Sequence, residues 1–433
     1  MFPEAGRLGD VYNPYDSSPQ NCGVYITNVF TFSVSYGILF SNLLMFLESR
    51  LGTAALCFES LPGRIYMGKI DKSLNLTNRE RMICACLNRD IDRQPFWFMF
   101  GPWGETIDRW KSEGLEGNWR DGMELDKGFA TVNVNLGYSP EFKWTVLADE
   151  ELTQVVIDSQ GVTKRISKDG NSIPQYLDCP VKNREDWERI KQERLQADDP
   201  ARFPQDWAQL VEGYKNEDYA IQIGRYPYGL FGTVREMMGV EELLVAFYDE
   251  PELIRDMMDY LTDFWIAIYK KVLKYVRIDH IHIWEDMSGK HGSLISPDMF
   301  REFMTPNYKK IVAFAKENGI SVVSVDTDGN MDQLMPLLQE AGINLVLPFE
   351  VQAGCDVNRI KKDYPDICLH GGIDKRALTF GFAEIDAELD RIDGLYNQSG
   401  YIPALDHLVH PEVSLENFRY FMKRLKKKIY SAL

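Results

Sequence analysis

The stretch VVSVDTDGN, Val322 to Asn330, decides how the chain is read. Val322, Val323, Ser324 and Val325 form a short, buried-type strand that runs straight into two acids, Asp326 and Asp328. In extended backbone those acids share one face. A Gly and an Asn then turn the chain. A strand that ends in paired carboxylates, followed by a turn into a helix, is the signature of a parallel α/β sheet whose strand ends carry polar residues.

The same pattern repeats outward from this point. Short apolar strands are expected at FWFMF (Phe96–Phe100), Tyr219–Gly224, His280–Asp286, Ser321–Asp326, Asn344–Glu350, Ile367–Gly372 and Tyr401–His407. Amphipathic helical stretches separate most of them. One starts at Pro251, a good first helical residue. Another starts at Ser296-Pro297 and stops at Gly319, and a third stops at Gly342. TNRERMICACLNR opens on a capping box, Thr77 with Glu80. Seven strands plus an eighth inside 117–200 would close a (β/α)8 barrel. Within 117–200, a β-hairpin about Gly161 and a helix at NREDWERIKQERL read as an insertion on that barrel.

Composition narrows the class. The chain has 433 residues, 45% hydrophobic and 26% charged, with a net charge of −17. So acidic a surface disfavours nucleic acid and anionic membranes, and neither is expected as a partner of residues 67–433. The basic run Lys423–Lys428 reads as the last turn of a helix. The seven cysteines show no C-x-x-C spacing, so a disulfide framework or zinc finger is not expected and a reducing, cytoplasmic setting is. Residues 1–66 read as a separate N-terminal extension. Val24–Leu47 is long enough for a bilayer but rich in Ser, Thr and Asn. A membrane anchor and an interfacial helix compete with upstream translation, and the last is favoured because Met67 opens an ordinary start.

In a parallel barrel the active site lies at the C-terminal strand ends. There the sequence places Glu285-Asp286, Asp326-x-Asp328, Glu350, His370-Gly371-Gly372 and Asp406-His407. One such acid alone reads as a turn residue or a helix N-cap. Acids on several strand ends, with His407, read as a site. His280 and His282 alternate on one face and read as packing positions. The glycines after His370 suggest a backbone that approaches a ligand.

TNRERM…DRQPFWFM, WEDMSGKHGSLISPDMFREFMTPNYKKI, VDTDGN, CLHGGIDKR and GYIPALDHLVHPEVSLENF resemble the uroporphyrinogen decarboxylase superfamily from about Thr77 to the C-terminus. The resemblance implies a (β/α)8 barrel and two activities: porphyrinogen decarboxylation, or metal-dependent methyl transfer between corrinoid proteins and thiols. Phe100–Glu105, FGPWGE, lacks the arginines with which decarboxylases meet eight carboxylates. Methyltransferase members hold zinc through His-x-Cys and a later Cys, which align with Asp326-x-Asp328 and His407.

The resemblance therefore implies Asp326, Asp328 and His407 as ligands of a divalent metal, zinc first, with Glu285 or Glu350 as a further ligand. The same acids could instead hydrogen-bond neighbouring loops. Glu285, Asp286, Arg235 and His407 are the catalytic candidates. Trp103, Arg225, Glu350, His370, Gly371 and Gly372 are candidates for substrate binding. The expected function is a corrinoid-linked methyltransferase acting on a small methylated substrate, with the corrinoid on a partner protein. The alternatives are a cofactor-free decarboxylase, relying on Arg225, Arg235 and Arg376, and a non-catalytic tetrapyrrole- or partner-binding barrel. A homodimer is expected from the superfamily alone.

Overall fold

The computed structural model describes residues 68–168, 174–215 and 218–431. The expected N-terminal extension lies outside the described residues. In chain order the strands are β1 (Phe129–Thr131), β2 (Thr145–Asp149), β3 (Thr153–Ile157), β4 (Thr163–Ser167), β5 (Gln175–Asp178), β6 (Ala220–Ile223), β7 (His280–Trp284), β8 (Ser288–Gly289), β9 (Gly292–Ser293), β10 (Val322–Asp326), β11 (Leu345–Leu347), β12 (Cys368–Ile373) and β13 (Tyr401–Leu405). Seven of them form one curled parallel sheet in the order β1-β6-β7-β10-β11-β12-β13.

Register explains how the sheet makes two environments. Ser324 of β10 pairs with His282 of β7 and with Leu345 of β11, and Asp326 pairs with Trp284 and Leu347. Successive side chains then alternate between faces. Ile281, Ile283, Val323, Val325, Val346 and Leu369 pack outward against the helices. Val322, Leu345, Leu347, Cys368 and Ile402 turn inward with Phe100 and Met99. Burying each such aliphatic side chain contributes about 1.5–3 kcal/mol. The helix Asn78–Cys86 plugs the inner face through Met82, Ala85 and Cys86. Its start is fixed by Thr77, whose hydroxyl accepts from the Glu80 amide while the Glu80 carboxylate accepts from the Thr77 amide.

The helices begin and end where their sequences dictate. The helix Pro251–Val272 has proline in its first turn and buries Leu253, Met257, Leu261 and Trp265. Ser296 caps Pro297–Met299 by accepting from the Met299 amide, and one π-turn, Phe300–Met304, leads into Thr305–Glu317. Met335–Ala341 stops at Gly342, which takes φ +90°. No described helix is long and apolar enough to cross a membrane.

One expectation about the sheet is corrected: FWFMF is not a strand. The further strand looked for inside 117–200 is β1, which joins the sheet. The Phe96 amide donates to the Asp126 side chain rather than to a neighbouring strand, and the Phe96 carbonyl accepts from the Asp126 amide. Just beyond the segment, the Trp103 amide donates to the Val409 carbonyl, past the end of β13. Between β1 and β6 the chain forms a separate antiparallel sheet, β2-β3-β4-β5, with β3 and β4 paired about Gly161. The helix Arg184–Arg194 follows, capped by Asn183.

Candidate active site

The two adjacent acids after β7 part company. Glu285 is fully buried. Its carboxylate accepts from the amides of Leu230, Phe231 and Gly232 at 2.7–3.0 Å, and from the Tyr308 hydroxyl at 2.5 Å. Those amides open the helix Leu230–Met238, whose N-terminus favours negative charge. Burial pushes the Glu285 carboxyl up to about 7 against the pull of those four donors. Both oxygens of Glu285, expected as a catalyst or metal ligand, are thus engaged by protein donors in the wall between sheet and helix.

Asp286 turns the other way, in a left-handed conformation with φ +46°. Arg235 donates to its carbonyl at 2.8 Å and pairs with its carboxylate. Burial raises the Asp286 carboxyl, opposed by Arg235 and reinforced by the charges of Asp328 and Asp326. The guanidinium also lies 5.9 Å from the Trp284 ring centre, and Tyr226 meets Trp284 edge-on at 4.6 Å.

After β10 the acids diverge as well. Asp326 is buried and faces inward, its Oδ2 lying 3.6 Å from His282 Nε2. Asp328 lies 3.4 Å from His407 Nε2. His407 stacks on Phe100 at 5.2 Å. Burial lowers the His407 imidazole, but the hydrogen bond and charge of Asp328 outweigh it and leave the group raised. A third pair completes the rim. Glu350 accepts from the Gly329 amide at 3.0 Å and from Lys375 Nζ at 3.3 Å. The charges of Lys375 and Glu350 both act on His407, and that of Asp328 on Asp286, so the three pairs form one electrostatic set.

The remaining candidates scatter. Trp103 is exposed at the start of the helix Gly104–Ser112. Arg225 follows β6, half-buried and without an ion pair among the described residues. Arg376 is held by Asp374 at 2.7 Å. His370 is buried inside, stacked on Trp97 at 5.1 Å. Burial and the charge of His282 push it down to about 3, with the Trp97 backbone opposing. Gly371 and Gly372 do approach something closely, but it is protein. A Cβ on Gly371 would fall 2.1 Å from the Pro348 carbonyl oxygen, and one on Gly372 would fall 2.2 Å from the Val357 side chain.

Sequence reasoning passed over Lys375, although a lysine two residues beyond a buried strand invited attention. It also gave no role to Asp406. That buried acid accepts from the amides of Val351 and Lys375 at 2.9 and 3.0 Å and is pushed up to about 6 by burial. It fixes the loop that carries Lys375. Arg235 lines an open groove of about 1040 Å³ together with Glu236, Tyr176 and Glu242.

A curled, seven-stranded parallel sheet with charged pairs at its strand ends is an α/β arrangement consistent with a TIM-like fold. The model of uroporphyrinogen decarboxylase (URO-D) matches residues 161–428. The chain belongs to that family. A solved methyltransferase from Methanosarcina mazei is similar in fold, with a TM-score of 0.52 at 16% identity over 81% of this chain and 100% of that one. No curated protein matches.

Proposed function

We propose that the chain is an enzyme of methyl transfer on a (β/α)8 barrel, acting on a small substrate at the rim, with His407 and Asp328 as its proton-handling pair. The observation that carries this reading is the pairing itself. Arg235 is already matched by Asp286, and Lys375 by Glu350, which suits a small substrate better than a molecule with eight carboxylates. The fold likeness to a methyltransferase supports it.

In this reading an acceptor thiol gives its proton to neutral His407, and Asp328 stabilises the imidazolium that forms. A corrinoid carried on a partner protein would supply the methyl group, and the thiolate would form its sulfur–carbon bond as the donor's bond to methyl breaks, the bonding pair remaining with the donor. Arg235 and Asp286 orient the substrate.

Asp326, Asp328 and His407 do not converge as a donor set, because Asp326 is engaged with His282. Among the described residues no three His, Cys, Asp or Glu side chains gather so as to hold a metal. No step is therefore routed through one. Metal analysis of the protein and of Asp328→Ala tests this directly. A stoichiometric ion lost in that variant would reinstate the metal-assisted route.

The activity test offers free methylcobalamin and a panel of thiols, and follows demethylation by absorbance. Thiol-dependent demethylation that disappears in His407→Ala is the expected result. Failure with every acceptor, together with decarboxylation of uroporphyrinogen, would overturn the reading in favour of a carboxy-lyase.

A further inference from the structure

The groove beside Arg235 has a wall that the proposed reaction does not use. Tyr176, Leu177, Asp178 and Cys179 are consecutive, and all four line it. Side chains of a strand alternate between faces, so consecutive residues share a groove when it runs along the strand's edge. β5 is an end strand: it pairs with β4 on one side, and no described strand takes the other. All of its residues are exposed, Tyr176 by 49% and Leu177 by 43%. The strand carries no lysine or proline of the kind that blunts an open edge.

The other wall is the helix Val240–Asp249 and the start of Pro251–Val272. Val245 is exposed there, and Met238, Ala246 and Leu253 add apolar surface. Glu241, Glu242, Asp249 and Glu250 stand around it, all exposed and none with an ion pair among the described residues. Lys182 and Arg235 also line the groove, but Asp178 holds the first and Asp286 the second. The groove thus combines apolar surface, an open strand edge and unmatched negative charge.

We propose that this groove takes an extended, basic segment of a partner protein, which adds a strand beside β5. An open edge binds chain through main-chain hydrogen bonds, while alternate side chains meet different surroundings. Every second residue of the segment faces the apolar surface, and those between carry the lysines or arginines that meet the four acids. The volume, about 1040 Å³, exceeds the ~300–1,000 Å³ of most small-ligand sites. A small cation would meet the acids and leave the strand edge unpaired. The inference stands on this groove alone and is independent of methyl transfer at the rim.

Binding to the full-length protein is measured by fluorescence anisotropy with a labelled heptapeptide of alternating lysine and valine. Two controls separate the contributions. One replaces lysine by glutamate; the other is N-methylated at every residue, which keeps the charge and leaves no backbone N–H to pair along a strand. Saturable binding of the first peptide is expected, about tenfold tighter than either control. Asp249→Lys and Val245→Asp should each weaken it about fivefold. Both positions are exposed, and the second variant keeps the test alive if the first fails to fold. No binding, equal binding of either control, or no effect of the variants would each overturn the proposal. So would a dimer, seen by sedimentation, that these variants dissolve, because the groove would then belong to a second copy of the chain.

Discussion

Glu285 and Asp286 are neighbours in sequence and belong to different regions. Glu285 is sealed in the wall between sheet and helix, and every donor around it is used. Asp286 stands on the rim, held by a single arginine and sensing the charges of Asp326 and Asp328. What separates them is one left-handed residue that sends the second carboxylate out of the wall. The wall spends its acid on holding a helix, whereas the rim keeps its acids in pairs that a substrate can rearrange.

The comparison breaks most easily at the wall. Glu285→Ala strands three amides and the Tyr308 hydroxyl in a dry site. The expected loss is about 3–5 kcal/mol, read as a lower urea midpoint. Stability within about 1 kcal/mol of the wild type would move Glu285 to the rim class. Rim substitutions should behave in the opposite way. His407→Ala is expected to lower the demethylation rate about 100-fold while the urea midpoint barely moves. A large stability loss with little effect on rate would reverse the two regions. Tyr308→Phe removes one of the donors to Glu285 and keeps the ring, so a smaller loss of about 1–2 kcal/mol is expected, with no direct effect on the rim.

Much of the sheet was legible because fully buried parallel strands are written as apolar runs between turn signals. β6, β7, β10, β11 and β13 lie inside the expected stretches, and β12 overruns its own by one residue, Ile373. β1 is three residues, Phe-Ala-Thr, too short to show a period. FWFMF looked like a strand because its residues are apolar, but its register is set by the carboxylate of Asp126, a long-range partner that no local pattern announces. At the site, strand ends were legible as places, and Asp328 with His407 as a meeting of distant segments. Which acid of each pair faces the rim was not, because a single φ angle after β7 and the turn at Gly329 decide it. His280 and His282 do lie on one face, as their alternation indicated, but the partner they share, Ser324, sits on another strand.

The central claim is that residues from distant strand ends make one coupled set at the rim, and the ionisation of His407 reports it. Asp328 raises that imidazole above its ordinary value near 6.5. Its contribution to stability is fully present below the unfolded pKa and fades as pH rises through the folded one. The direct measurement is an NMR titration of the His407 ring proton, identified by its disappearance in His407→Ala, in the wild type and in Asp328→Asn. A midpoint above 6.5 that falls in the variant is the predicted result; superimposable titrations would contradict it.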